Sequence, residues 1–332
     1  MSVLIIFIVP LQAAKIAVFE DIMKPDMFTI GDERIIITEK ASISIYSLKD
    51  FHLIKKFGKE GEGPQEFKIN PFGAPLAAML YGGKIYVSSD SKVSVFTKDG
   101  EFINETRVKP FQFYRPFGDK FIFTGIGKNE SDQPVLSINL SDDKFNKLKE
   151  LYLSDMTVGP AVKFNFPISS FSFVPYKDRL YIVMGKEGFA IDVFDGNGIK
   201  LYRIEKKFES ITVPEDYKKN TLEWFKTNPG VKQYWEFFKD RISFKTEYPA
   251  IQDIMVTDDR IYVLTYKQKD GTTEMIIMDL KGKEEKRLFV PVVPPVGMDY
   301  YVKHDIYKGH MYRLVENVDD ETWELHKIKL ID

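Results

Sequence analysis

Four histidines, His52, His304, His310 and His326, are the only imidazoles in this 332-residue chain, and there is no cysteine. The lack of thiols removes cysteine nucleophiles, disulfide scaffolds, thiolate zinc sites and lipid attachment at an N-terminal cysteine in one step. No two histidines stand at the His-x-x-x-His spacing that puts a pair of metal ligands on one helix face. No Gly-x-Ser-x-Gly elbow presents a serine to a base. The glycine-rich stretch from Gly58 to Phe67 lacks the Gly-Lys-Ser/Thr ending of a phosphate loop and runs into a strand pattern instead of a helix. What the residues do offer is non-covalent recognition. Glu62, Tyr114, Arg115, Asn165, Tyr248, Tyr300, Tyr301, Lys303 and His304 combine aromatic faces with charged and hydrogen-bonding groups, a mixture suited to a sugar, a peptide or a protein loop. They are scattered along the chain, so the fold has to gather them.

Composition narrows the fold. Hydrophobic residues at 44% and charged residues at 29% fit a globular chain and exclude a disordered one. Balanced charge, 47 Lys+Arg against 49 Asp+Glu, leaves no basic footprint for nucleic acid, and Lys206-Lys207 and Lys218-Lys219 read as solvated faces. An aromatic content of 14% favours sheets.

A repeat then sets the architecture. A turn pair, a basic residue or histidine, and alternating β-branched and aromatic residues recur at Asp32-Glu33-Arg34-Ile35, Gly82-Gly83-Lys84-Ile85 and Gly118-Asp119-Lys120-Phe121. The pattern returns at Lys177-Asp178-Arg179-Leu180, Asp258-Asp259-Arg260-Ile261 and Lys308-Gly309-His310-Met311. Each reads as a hairpin turn feeding a half-buried strand. A proline precedes each copy, at Pro25, Pro71, Pro110, Pro167, Pro249 and Pro295, where a strand entry tolerates its missing N–H. One strand lies between proline and turn. Two more follow the repeated strand, as in Val93 to Phe96 and Glu101 to Ile103 across Lys98-Asp99-Gly100. Six units of four antiparallel strands predict an all-β, six-bladed β-propeller. The sixth unit runs out after Trp323 to Leu330, so Lys15 to Ile22 is expected to supply its missing strand and latch the ring. Residues 15–332 then form one domain. In a propeller the connections between blades and the turns between second and third strands share one mouth of the central channel. The nine candidate residues are expected on that mouth, with His304 near the start of an inner strand.

Two segments stand outside the repeat. Val3 to Leu11 is apolar and is followed by Ala13 and Ala14, the layout of a signal peptide over residues 1–14, which implies a periplasmic or secreted protein. A buried first strand is the alternative. The run is too short to span a membrane, which takes about 20 apolar residues, and no later stretch approaches that length. The interval from Pro167 to Pro249 carries an insertion, about 208–246, whose periodicity becomes helical. Thr212 and Glu215 fit a capping box with Pro214 in the first turn of a helix bearing Tyr217, Thr221, Trp224 and Phe225. Asn228 and Pro229 fit the start of a second helix carrying Val231, Tyr234, Trp235 and Phe238. The insertion is expected to buttress the propeller's rim, or else to form a lid over the channel or a docking surface for a partner protein.

Residues 57–103 resemble the NHL repeat of six-bladed propellers. The likeness rests on Phe57-Gly58, the glycine-rich run ending Gly63-Pro64-Gln65-Glu66-Phe67, Asn70-Pro71, Tyr86-Val87, and Val95-Phe96 before Asp99-Gly100. Gly82-Gly83 replaces the family's usual Asp-Gly, and Ser88-Ser89 with Ser91-Lys92 replaces its next turn. The whole chain looks like the NHL-like or TolB-like propellers of bacteria. That resemblance concerns the fold; with the catalytic motifs above absent, the residues expected at the channel mouth point to a non-catalytic module binding a protein, peptide or carbohydrate there, without a cofactor. A second likeness implies an alternative. Gly61-Glu62-Gly63-Pro64 resembles the metal-binding Gly-Glu-Gly-Pro of gluconolactonase-like and regucalcin-like propellers, Ca²⁺-dependent lactonases or esterases, with Asn165 and Asp299 as further oxygen ligands. NHL-like amidating lyases use a three-histidine zinc centre, and the blade positions of the four histidines here do not bring three together.

Overall fold

The structure, a computed structural model, describes residues 13–68, 76–110, 112–157, 162–168, 172–185, 187–299 and 303–331. The signal-peptide run, Asn70, Pro71, Tyr300 and Tyr301 lie outside these residues.

Six four-stranded antiparallel sheets are the blades of a β-propeller. Blade one comprises Met27–Gly31, Arg34–Glu39, Ser42–Ser47 and Leu53–Phe57. The inner strands of blades two to six are Ala77–Tyr81, Tyr114–Phe117, Phe173–Tyr176, Asp253–Thr257 and His304–Tyr307. The repeated turn pairs do what their composition requires. Asp32-Glu33, Gly82-Gly83, Asp258-Asp259 and Lys308-Gly309 all take positive φ at both positions, the tight hairpin geometry that matches strand twist. Ala14–Phe19 pairs with Thr322–Lys329 as the fourth strand of blade six, so the two ends of the chain close the ring. Phe19 is buried there beside Tyr46, at 4.5 Å between ring centroids, and Trp323 Nε1 donates to the Met23 carbonyl at 3.2 Å.

Alternation along each strand sends side chains to both faces of a blade, so each blade contributes to two apolar layers. Every one of the six interfaces between neighbouring blades accordingly holds its own buried cluster, including that between blades six and one, where Phe19, Ile37, Leu314 and Leu325 meet. Each fully buried aliphatic or aromatic side chain contributes about 1.5–3 kcal/mol.

The glycine-rich stretch serves as the crossing from blade one to blade two. Lys59–Glu60 pairs in parallel with Glu66–Phe67. Gly58 sits at φ +87°, where a Cβ would lie 2.5 Å from the Ala41 carbonyl oxygen, so glycine is needed there. Glu66 holds the turn by accepting from the Gly63 N–H at 2.9 Å and pairing with Lys59 at 3.0 Å.

Candidate functional site at the capped channel mouth

The insertion folds differently from its sequence pattern at both helix starts. The first helix, Glu215–Thr227, begins on Pro214 with no side-chain cap, because Thr212 is drawn into an isolated antiparallel bridge with Glu247. Asn228 ends that helix, its N–H donating to the Trp224 carbonyl, and its side-chain oxygen accepts from Gly230. The second helix shrinks to a 3₁₀ turn, Lys232–Tyr234, and one α turn, Trp235–Phe238.

Its aromatic face is covered. Tyr217, Phe225, Val231 and Phe238 are buried against Phe164, Phe166 and Ile168 of the connection from blade three to four, and against Met298 of the connection from five to six. Phe164–Phe166 and Ile242–Phe244 form a parallel strand pair that ties the insertion down. Trp224 packs onto Gly297, where a Cβ would come within 2.6 Å of the indole. Every connection involved joins an outer strand to the next inner strand, so all lie at the same end of the channel. The insertion is therefore a cap over the mouth above blades four to six, held there by its buried aromatics, with Tyr234 and Phe237 left exposed on its outer side.

From the cap a row of tyrosines leads inward. Tyr217 meets Tyr248 edge-on at 5.5 Å, and Tyr248 stacks on Tyr266 at 4.3 Å and 17°. Tyr266 feels the charge of Asp253, the first residue of blade five's inner strand. Around Asp253 the inner-strand starts assemble a polar cluster. Its Oδ1 accepts from Ser172 Oγ at 3.2 Å and from the Ile254 N–H at 2.8 Å. Asp305, from the inner strand of blade six, accepts from Thr29 Oγ1 and the Ile30 N–H at 2.8 Å each, and from the Ile306 N–H. Arg115, from blade three, lies over the Phe173 ring at 4.9 Å and donates from Nη1 to the Phe173 carbonyl at 2.8 Å.

Burial governs the electrostatics. It raises the carboxyls of Asp253 and Asp305 above the usual carboxylate range, and for Asp305 the nearby Asp253 charge adds to it. It lowers the pKa of Arg115, against the attraction of Asp253. Burial, reinforced by Arg313, pushes the His304 imidazole down to about 4, and its Nε2 is enclosed without a hydrogen-bond partner among the described residues.

Of the expected site residues, Arg115 and Tyr248 join this cluster, whereas His304 pairs with Arg313 on the opposite face of its strand from Asp305. Lys303 stands beside it with its ammonium 4.5 Å over the Trp323 ring. Asn165 is exposed on the parallel strand pair of the cap and is reached by Ser243 Oγ at 3.4 Å. Tyr114 goes elsewhere: it is buried between blades two and three, stacked on Phe123 at 4.9 Å, with its hydroxyl donating to Gln112. Adjacent strand residues face opposite ways, so the geometry that turns Arg115 to the axis turns Tyr114 into the core. Glu62 is exposed on the rim, paired with Lys68 at 2.9 Å, in a groove also lined by Lys92, Glu105 and Arg107. The groove's three acids, Glu62, Asp90 and Glu105, are already paired with Lys68 and Lys92, so the residues present do not fit the Ca²⁺ centre that the Gly-Glu-Gly-Pro likeness implies. Asp253, Asp305 and Ser172 were not singled out from sequence. The signal was present as Asp-Ile at the start of two inner strands, Asp253-Ile254 and Asp305-Ile306.

No protein-family model matches the chain, and no curated protein matches it. Solved structures do. A member of the duf4221 family from Bacteroides vulgatus has a TM-score of 0.52 at 14% identity, covering 97% of this chain and 98% of that one. Luciferin-regenerating enzyme has 0.47 at 7% identity, covering 96% and 95%. The β-propeller domain of the Trilobed protease from Pyrococcus furiosus has 0.42 at 12%, covering 93% and 84%. The chain belongs to the six-bladed β-propeller class; at such identities the likeness concerns the fold alone.

Proposed function

We propose that the protein is an exported, non-catalytic propeller of the NHL-like or TolB-like kind, periplasmic or secreted, which binds its ligand at the capped mouth without a cofactor. The observation that supports this best is the unspent hydrogen-bonding capacity on the axis. Arg115 is half-buried at an inner-strand start, yet the described residues engage only one of its guanidinium donors, and a ligand entering the mouth would engage the rest. Catalysis lacks comparable support: Asp305 is occupied by three donors, and the one hydroxyl paired with a carboxylate in the cluster, Ser172 with Asp253 at 3.2 Å, has no histidine beside it to act as base.

Elemental analysis and lactone or ester hydrolysis assays on the purified protein separate this reading from a Ca²⁺-dependent hydrolase. Substoichiometric calcium and no turnover are expected. One tightly held Ca²⁺, with turnover lost in Glu62→Gln, would overturn the binding reading.

A further inference from the structure

We propose that the ligand of this mouth is a hydroxylated small-molecule carboxylate whose carboxylate group seats on the Arg115 guanidinium, an inference that rests on the binding reading above. Several arginines of the chain are matched by acids: Arg203 grips both oxygens of Asp192 at 2.6 and 2.9 Å, and Arg287 meets Glu274 and Glu284 at 3.0 and 2.9 Å. Arg115 is half-buried at the capped mouth and forms no ion pair among the described residues. Its nearest opposite charge, Asp253, is turned to Ser172 and the Ile254 N–H.

A guanidinium carries five N–H donors in a planar fork that matches a carboxylate in two parallel bonds. Here one of them is spent, on the Phe173 carbonyl, while the Phe173 ring fixes the plane of the fork. A half-buried guanidinium with four free donors and no ion pair among the described residues binds an anion through charge-assisted hydrogen bonds stronger than those to water. The charge on the anion is limited by what shares the axis. Asp253 and Asp305 would repel a phosphate dianion more strongly than a single carboxylate, and their upward-shifted carboxyls oppose a single charge less.

The remaining groups suit hydroxyls. Asp253 Oδ2 accepts no hydrogen bond from the described residues, and the Ser172 hydroxyl lies beside it. A polyol acid presents both kinds of group.

The test is isothermal titration of the full chain with sodium glucuronate, glucose and sodium acetate, repeated on Arg115→Lys and Arg115→Gln. Glucuronate is expected to bind saturably and at least tenfold more tightly than either glucose or acetate. Arg115→Lys, which keeps the charge but loses the fork, is expected to weaken it at least tenfold, and Arg115→Gln further. Glucose binding as tightly as glucuronate would overturn the carboxylate assignment while leaving the binding reading intact. Acetate equalling glucuronate would overturn the hydroxyl part. Absence of heat from all three at millimolar concentration would overturn the proposal, whereas the binding reading itself falls only to the calcium and turnover result above. The wild-type titrations decide even if neither variant folds.

Discussion

Replacing Phe225 by alanine should loosen the cap while leaving the propeller standing. Phe225 is wholly buried, with the rings of Phe238, Trp224 and Phe166 at 4.8, 5.1 and 5.7 Å. Truncation of a buried phenylalanine costs about 3–5 kcal/mol through lost burial and the cavity left behind. All three neighbours belong to the insertion or to the connection beneath it, and none to an interface between blades. The cost therefore falls on docking of the cap. At about 1.4 kcal/mol per tenfold, the undocked population rises by roughly two to three and a half orders of magnitude. Native-state hydrogen exchange reads this directly. Amides of Glu215–Thr227 should exchange faster by about that factor, while those of Arg260–Lys269 in blade five keep their rates. Uniform loss of protection across the blades, or unchanged helix protection, would refute a separately docked cap.

Three further expectations concern the ring and its charges. Phe19→Ala removes the latch residue between Ala14–Phe19 and blade one, so it should lower global stability by about 3–5 kcal/mol, read as a drop in the urea midpoint. Asp192 is held below the usual carboxylate range: burial opposes this, but hydrogen bonds from Arg203 and Lys200 prevail. Its stabilising contribution is present above the unfolded value of 3.8 and is lost as pH falls through the lower folded one, so Asp192→Asn should destabilise at pH 7 and flatten the acid limb, measured by urea unfolding from pH 7 to 3. His304 has the opposite character. Between 6.5 and about 4 the unfolded chain holds the extra proton, so stability falls as pH drops through that window, and His304→Gln should reduce that slope in the same measurement.

The blades were legible because their signals are local. A turn such as Asp258-Asp259 or Gly82-Gly83 adopts its geometry with little help from tertiary structure, and the alternation after it points inward regardless of which blade is its neighbour. The latch was legible by subtraction, since the sixth unit lacked a strand and Lys15 to Ile22 had a strand's pattern without a unit. Helix starts in the insertion were not, because Thr212 had two partners to choose from and the bridge to Glu247, distant in sequence, outcompeted the local cap. The site was half legible. Arg115 follows from its place at an inner-strand start, but the choice between Arg115 and Tyr114, and between Asp305 and His304, depends on strand parity, which slips by one residue without changing the pattern. Asp253 and Asp305 read as ordinary turn-adjacent acids until the ring brings their blades together.

Because the chain has only four histidines, selective ¹⁵N labelling of histidine yields a spectrum in which each can be followed. Three have partners: His52 with Asp50, His310 with the Lys308 carbonyl and His326 with Glu324, whereas His304 Nε2 lies unpartnered at the capped mouth. Titrating sodium glucuronate into this sample should move the His304 ring signals and leave the other three in place. Movement at His52, His310 or His326 with His304 unchanged, or no movement at all, would contradict the seating of a hydroxylated carboxylate on the propeller axis.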